Sequence, residues 1–493
     1  MRSVVEDNEV NRKRCICPDC PSMPKDCPDE ILYCGRPMSR CDINARGCIC
    51  TPCPSYKEYK LEGLYFCDKD EVGESLKAMR KKRSQEDQEF YQTVINIKEI
   101  AAKGQSVVVS MGSQKKMPFS LKDLHFIPAQ IYKIPLNVDD PVNTEVIIGP
   151  TSQRPLKVFS PIMISGMSFG AVSERIRHVI SIVAADLRIG FNSGEGGVLP
   201  EALETAPNYL IIQYASARFG LHDEILKKAA AIEVRFGEGA YPGKGSYLPA
   251  SKITPEIAEI RGLKPGESAY SPAHHPDILN GKDLKEKVTL LRDLTGGIPI
   301  GSKIGCGNVE KDVETLVDAG VDYIALDGFG GGTGATDLYV RENIGLPIII
   351  DLPRARAVLE RLGARDRISL IAGGGLRTSD DFAKCLALGA DAVYIGTAAL
   401  IAISCEQYRL CHTGLCPTGV TTQNPVLIEQ IDVEKGVQRL TNYIATSTKE
   451  IAQLTRIVGK NDVNNLDLED LVSLDKDLAK ISGVKWLDGE QQK

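Results

Sequence analysis

The chain is 493 residues long, 43% hydrophobic and 25% charged, the composition of a soluble globular protein with one large domain and room for smaller ones. A formal net charge of −6 gives no basic footprint for nucleic acid, and no apolar run reaches the ~20 residues of a membrane span. The first residues, MRSVVEDNEVNRKR, lack the apolar core of a signal peptide, so a cytoplasmic location is expected and the fifteen cysteines read as metal or cluster ligands before disulfides.

Residues 1–70 hold ten of those cysteines: Cys15, Cys17, Cys20, Cys27, Cys34, Cys41, Cys48, Cys50, Cys53 and Cys67. CICPDCPS and CICTPCPS form a short internal repeat, C-x-C-x2-C-P-S, and the block contains no histidine. So cysteine-rich a segment, with few large apolar residues, cannot hold itself together by burial alone, and metal binding must supply part of its folding energy. All-cysteine ligation permits zinc or iron–sulfur, and the two-cluster ferredoxin spacing is absent. The block is similar to a small module of archaeal proteins. Residues 71–150 read as a helical linker, with KAMRKKRSQEDQEFYQTVINIKEIAAKG as an exposed or docking helix, followed by extended pieces leading into the next domain.

Residues 151–430 alternate short apolar strands with helical patterns. Eight strands are expected at 161–165, 188–192, 209–213, 231–236, 298–303, 322–327, 368–373 and 392–396. Eight parallel βα units in ~250 residues predict an α/β fold, a (β/α)8 TIM barrel, with its functional groups just beyond the strand ends. The last two strands run into Gly373-Gly374-Gly375 and Gly396-Thr397. Glycine turns opening onto helices leave backbone N–H groups for a phosphate, and Arg377 adds a fork of donors. Directly behind stand Cys405, Cys411 and Cys416, spaced C-x5-C-x4-C. Three thiolates suit a cluster with one vacant iron corner better than a closed zinc site. Residues 431–493 are helical and charged, and are expected to pack on the barrel or on a partner subunit.

GGGLRTSDDF, GTAALIAISC and CHTGLCPTGVTTQNP resemble the FMN-binding synthase domain of glutamate synthase, and the resemblance covers residues 119–427. It implies FMN, with its phosphate at Gly373, Gly374, Gly375, Arg377, Gly396 and Thr397, and a 3Fe-4S cluster on Cys405, Cys411 and Cys416. Gly166, Met167 and Ser168 match the family's GAMSLGA beside the flavin, and Asn192 opens N-S-G-E-G-G, which carries Glu195. Gln213 matches the third strand's end. Gly331, Gly332 and Thr333 lie in a loop similar to the family's G-H-D-G-G-T-G-A, with Phe329 and Gly330 in place of histidine and aspartate. Lys303 ends the fifth strand; a lumen lysine needs an anionic partner, and the N1–C2=O edge of reduced flavin is one. Glu195 and Lys303 are therefore the expected catalytic groups.

The substrate loop departs from the family. Tyr241 stands for lysine, Lys244 for glutamate and Tyr247 for glutamine, while Arg261 falls on the family's substrate-binding arginine. A dicarboxylate wants two cationic anchors, which Lys244 and Arg261 would supply. His274 and His275 occupy a motif near the site, with no acid role assigned.

The implied reaction is reduction of 2-iminoglutarate, formed from 2-oxoglutarate and ammonia, to L-glutamate. The chain carries no G-x-G-x-x-G in a βαβ setting and no glutaminase segment. Electrons are thus expected from ferredoxin or another carrier, and ammonia from a separate glutaminase subunit or from solution. Attachment to a flavin enzyme tips the cysteine-rich block toward iron–sulfur over zinc. A homo-oligomer is expected. Two alternatives stand: an FMN/iron–sulfur oxidoreductase for another oxo or imino acid, and a non-catalytic metal-binding or docking protein.

Overall fold

The computed structural model describes residues 5–36, 38–44, 46–61, 65–68, 85–264 and 266–487, without the side chains of 85–89. The chain divides into two compact units, Met1–Gln105 and Ser106–Lys493.

The first unit consists of short pieces: helices Glu9–Lys13 and Pro54–Glu58, 3-10 turns Cys17–Asp19, Tyr33–Gly35 and Phe66–Asp68, and the longer helix Gln85–Lys103. The expected beginning of that helix, 77–84, lies outside the described residues. Val5, Leu32, Tyr33, Leu61 and Phe66 make a small apolar centre against which several cysteines pack. Cys27 and Cys41, expected as metal ligands, are instead joined to each other in a disulfide. A sulfur committed to an S–S bond is no longer a thiolate, so neither is a ligand in this structure.

The second unit is built on eight parallel strands: β1 Ile162–Ile164, β2 Phe191–Asn192, β3 Leu210–Tyr214, β4 Ala231–Arg235, β5 Ile300–Gly305, β6 Tyr323–Asp327, β7 Ser369–Gly373 and β8 Ala392–Ile395. They pair in chain order and close, β8 on β1 and β4 on β5, so the α/β TIM barrel expected from the alternation is the fold. Inside, Met163, Ile211, Ala231, Tyr323, Ala325, Ile371, Ala392 and Tyr394 pack with Val146, Ile148, Leu156 and Val158 of an antiparallel pair of strands. A Cβ at Gly301 would sit 2.4 Å from the Tyr323 ring, so a glycine in β5 makes room for a tyrosine in the lumen. Outside, α1 (Glu174–Leu187) buries Ile176, Val179, Ile180, Val183 and Ala184, the i, i+3, i+4 spacing of one helix face. The long α2 (Val433–Ile457) lies along α1, with Gly436 allowing close approach to Val179 and Ile403. The C-terminal helical segment thus packs on the barrel. No helix among the described residues is long and apolar enough to cross a membrane.

Candidate active site

The loops beyond the strand ends converge on one cavity of about 180 Å³. Gly166, Met167 and Ser168 follow β1; Gly194 and Glu195 follow β2; Glu238, Tyr241 and Ser246 follow β4. Lys303 comes from β5 and Asp327 from β6, with Gly331, Gly332 and Thr333 in the loop after it. Gly374, Gly375 and Arg377 follow β7; Gly396, Thr397, Cys405, Cys411 and Cys416 follow β8. The Arg177 guanidinium, wholly buried, donates to the carbonyls of Met167 at 2.9 Å and Asn192 at 3.1 Å, tying the loops after β1 and β2 together.

The glycine turns are shaped for a ligand that takes backbone N–H groups. Gly374 and Gly375 have φ of 102° and 81°, which L side chains rarely adopt. A Cβ on Gly374 would lie 2.4 Å from the nitrogen of Gly328, and one on Gly332 would lie 2.6 Å from Thr397 Oγ1. Among the described residues the N–H groups of Gly374 and Gly375 find no acceptor, the open donor pair a phosphate requires.

The floor is a network of buried charge. Arg235 sits 2.8 Å from Glu195 and 3.4 Å from Glu238, and donates to the Tyr241 hydroxyl at 3.2 Å. The hydroxyls of Ser246 and Ser271 donate to Glu195. Burial raises the Glu195 pKa, and Arg235 only partly offsets it. Burial also raises the pKa of Glu238, yet Lys303 and Arg235 together hold it below the usual range. One arginine thus serves an acid inclined to keep its proton and another inclined to lose it. Lys303, 3.5 Å from Asp327 and donating to Ser165 Oγ at 3.4 Å, resists the pull of burial because Asp327, Glu238 and Glu233 favour its charge. The expected anionic partner of this lysine is therefore supplied in part by the protein.

The three cysteines enter the same cavity. Burial, then the sulfurs of Cys411 and Cys416, raise the Cys405 thiol. Cys416, though burial opposes it, is held below the ordinary thiol range by Thr418 and Thr421. Among the described residues no three cysteine, histidine or acidic side chains close around a point that one metal ion could occupy. Three thiols lining one cavity are a donor set of the chemistry an iron–sulfur cluster uses.

A family model described as a conserved region in glutamate synthase matches residues 91–461. The chain belongs to the glutamate synthase family. The family's enzymes are oxidoreductases. The chain is 35% identical to the glutamate synthase large subunit-like protein of Rhizobium meliloti (strain 1021), across 81% of this chain and 95% of that one. It is 40% identical to the archaeal glutamate synthase (NADPH) of Methanocaldococcus jannaschii, across 63% of this chain and 61% of the relative, and 29% identical to the ferredoxin-dependent glutamate synthase of Pyropia yezoensis, across 76% and 25%. The chain therefore spans less than two thirds of the length of the archaeal relative. A second family model, for a protein of unknown function (DUF2769), matches residues 15–68.

Measured against the glutamate synthase motifs, most expected site residues meet at the cavity, and four do not line it. Asn192 and Gln213 stand behind Gly166, each donating to Glu233 Oε1, at 2.8 and 2.9 Å. They support the loop rather than face the cavity. Gly373 is the last residue of β7, hydrogen-bonded through its carbonyl to Gly328, and serves the barrel. Lys244 is paired with Asp337 and lies over the Tyr339 ring, so the expected second anchor points elsewhere. Arg261 does reach the cavity, buried, donating to the Phe169 carbonyl at 2.7 Å. His274 is exposed, and His275 is a packing residue whose Nε2 meets the Arg235 carbonyl at 2.9 Å. The sequence reading missed Arg235, Glu238 and Ser246. Glu233 and Arg235 alternate with apolar neighbours in AIEVR, and two charges on one face of a buried barrel strand are the signal that was there to find.

Proposed function

We propose that the barrel reduces the C=N carbon of 2-iminoglutarate to give L-glutamate, with FMN and a 3Fe-4S cluster as resident groups and a ferredoxin-like carrier as donor. The observation carrying this reading is the single cavity shared by an open glycine cradle, a buried lysine and three thiols. Gly332, Gly374, Gly375, Thr397 and Arg377 would hold the FMN phosphate, and Cys405, Cys411 and Cys416 the cluster. Bound there, FMN supplies hydride transfer and the cluster one-electron transfer.

The chain's own residues do the rest. Lys303 offers a fixed positive charge where negative charge must collect, without reorganisation at the moment of reaction. Arg261 takes a substrate carboxylate. Glu195, whose pKa burial raises, lines the cavity with its carboxylate oriented by Arg235, Ser246 and Ser271, the group positioned to exchange a proton with the substrate. The names of the relatives, one for NADPH and one for ferredoxin, bracket the donor.

The pairing of Lys244 with Asp337 favours a second reading, in which the acceptor is an oxo or imino acid with one anionic end. One experiment decides between them. Photoreduced enzyme is mixed anaerobically with 2-oxoglutarate plus ammonium, and in parallel with a panel of monocarboxylic oxo acids. Reoxidation by the first mixture alone supports glutamate synthesis; reoxidation only by the panel supports the second reading, and reoxidation by neither removes both.

A further inference from the structure

The duplication in the first unit runs further than its cysteine motifs. Cys15, Cys17, Cys20 and Cys34 recur 33 positions later as Cys48, Cys50, Cys53 and Cys67. The backbone follows the same shift. Leu32 and Tyr65, equivalent positions, both take left-handed φ, 60° and 55°. Their N–H groups donate to the sulfurs of Cys15 at 3.2 Å and Cys48 at 3.3 Å, again equivalents. Each then opens a 3-10 turn that carries the fourth cysteine, Tyr33–Gly35 and Phe66–Asp68. A leucine and a tyrosine in this region of φ/ψ space are strained, and strain kept at two matching places marks a function. Here it aims an amide at a sulfur, the contact that tunes a metal-bound thiolate.

All eight cysteines of the two repeats line one cavity of about 40 Å³, whose other walls, among them Ile16, Ile49, Leu61 and Phe66, are largely apolar. Cys27 and Cys41 stand outside the pattern. The shift carries them onto Lys60 and Glu74, and they are bonded to each other. The repeats also interlock: the Cys20 thiol of the first repeat donates to the Gly47 carbonyl at 3.7 Å, one residue before Cys48 of the second.

We propose that this unit binds two iron–sulfur clusters, each on four thiolates: one on Cys20, Cys48, Cys50 and Cys67, the other on Cys15, Cys17, Cys34 and Cys53. The first set follows from Cys20 reaching the residue before Cys48, whose sulfur in turn meets the turn that carries Cys67, and the second is its image under the shift. All-cysteine ligation suits either group, and iron–sulfur is chosen over zinc because a flavin enzyme of the kind proposed above needs an electron relay, so this choice rests on that reading.

The test uses the full chain, purified anaerobically, with Cys405, Cys411 and Cys416 changed to serine so that remaining iron reports the first unit alone. Native mass spectrometry should show two clusters per chain, with iron and sulfide in equal amount. Cys27→Ser with Cys41→Ser should leave both. Cys15→Ser or Cys48→Ser should each remove half the iron. Cys20→Ser with Cys48→Ser should still remove only half, and Cys15→Ser with Cys20→Ser should remove all of it. Two zinc ions per chain, a metal-free chain whose eight cysteines are in disulfides, or loss of all iron from Cys15→Ser alone would each overturn the proposal. The mass of the unsubstituted first unit's load is decisive even where a variant fails to fold. Because the barrel thiols are absent from this background, failure here is distinguishable from failure of the reaction proposed for the barrel.

Discussion

Arg235 Nη2 lies 2.8 Å from Glu195 Oε2, and both side chains are buried beneath the cavity. The arginine also meets Glu238 and Tyr241, so it neutralises the floor on which a substrate would rest. Removing one member of a buried pair is costly because the other is left uncompensated. Arg235→Met should lower unfolding free energy by about 3–5 kcal/mol, read from urea denaturation. Glu195→Gln keeps the shape and the serine contacts and should cost clearly less, while turnover falls. Equal stability losses for the two would show that the network is not organised by the arginine.

Lys303 is held charged at the end of β5 by Asp327, Glu238 and Glu233 despite full burial. Loss of a preorganised charge of this kind costs about 100-fold or more in rate. Lys303→Met should show that loss in the reoxidation rate of photoreduced enzyme, with Lys303→Arg retaining part of it. An unchanged rate would reduce the lysine to a structural counter-ion.

Gly374→Ala tests the cradle. At φ 102°, with its Cβ 2.4 Å from the Gly328 nitrogen, alanine must push the turn open. A left-handed non-glycine residue costs about 1–2 kcal/mol, which predicts flavin affinity weakened by about tenfold or more, read from flavin retained through gel filtration.

His275 predicts a pH effect on stability. Burial brings its pKa down to about 4, against an ordinary value of about 6.5. Its Nε2 donates to the Arg235 carbonyl and its Nδ1 faces Arg218, so a second ring proton would be unwelcome. The neutral ring is the folded form. Its contribution is complete above pH 6.5, is lost as pH falls from there toward 4, and is gone below 4. The melting temperature of His275→Phe should therefore fall less than that of the native chain between pH 7 and pH 5.

Arg261 and Lys244 should now behave differently. Arg261 lines the cavity, and Arg261→Lys, which removes the bidentate fork, should raise the KM for the acid substrate by about tenfold. Lys244→Ala, which breaks a pair with Asp337, should leave KM unchanged. Steady-state kinetics on the two variants would show the reverse if the lysine swings into the cavity.

The eight strands were legible because a barrel strand buried on both faces reads as a short apolar run, and every expected run became one. The glycine turns and Cys405, Cys411 and Cys416 were legible for a related reason: their chemistry is local, set by spacing along a few residues. Tyr241 and Arg261 were found through a loop motif. What escaped were partners distant in the chain. Arg235 meets Glu195 from 40 positions away, and Asp327 meets Lys303 from the neighbouring strand.

By itself the chain determined which elements form and which chemistry-bearing residues end them, because periodicity, glycine and cysteine spacing act over a turn or a strand. Only the closed barrel decided that Asn192 and Gln213 stand behind the lining and that Lys244 turns to Asp337. Only the folded first unit joined Cys27 to Cys41. Burial and pairing depend on which strands become neighbours, and that information is spread over the whole sequence rather than written at any one position.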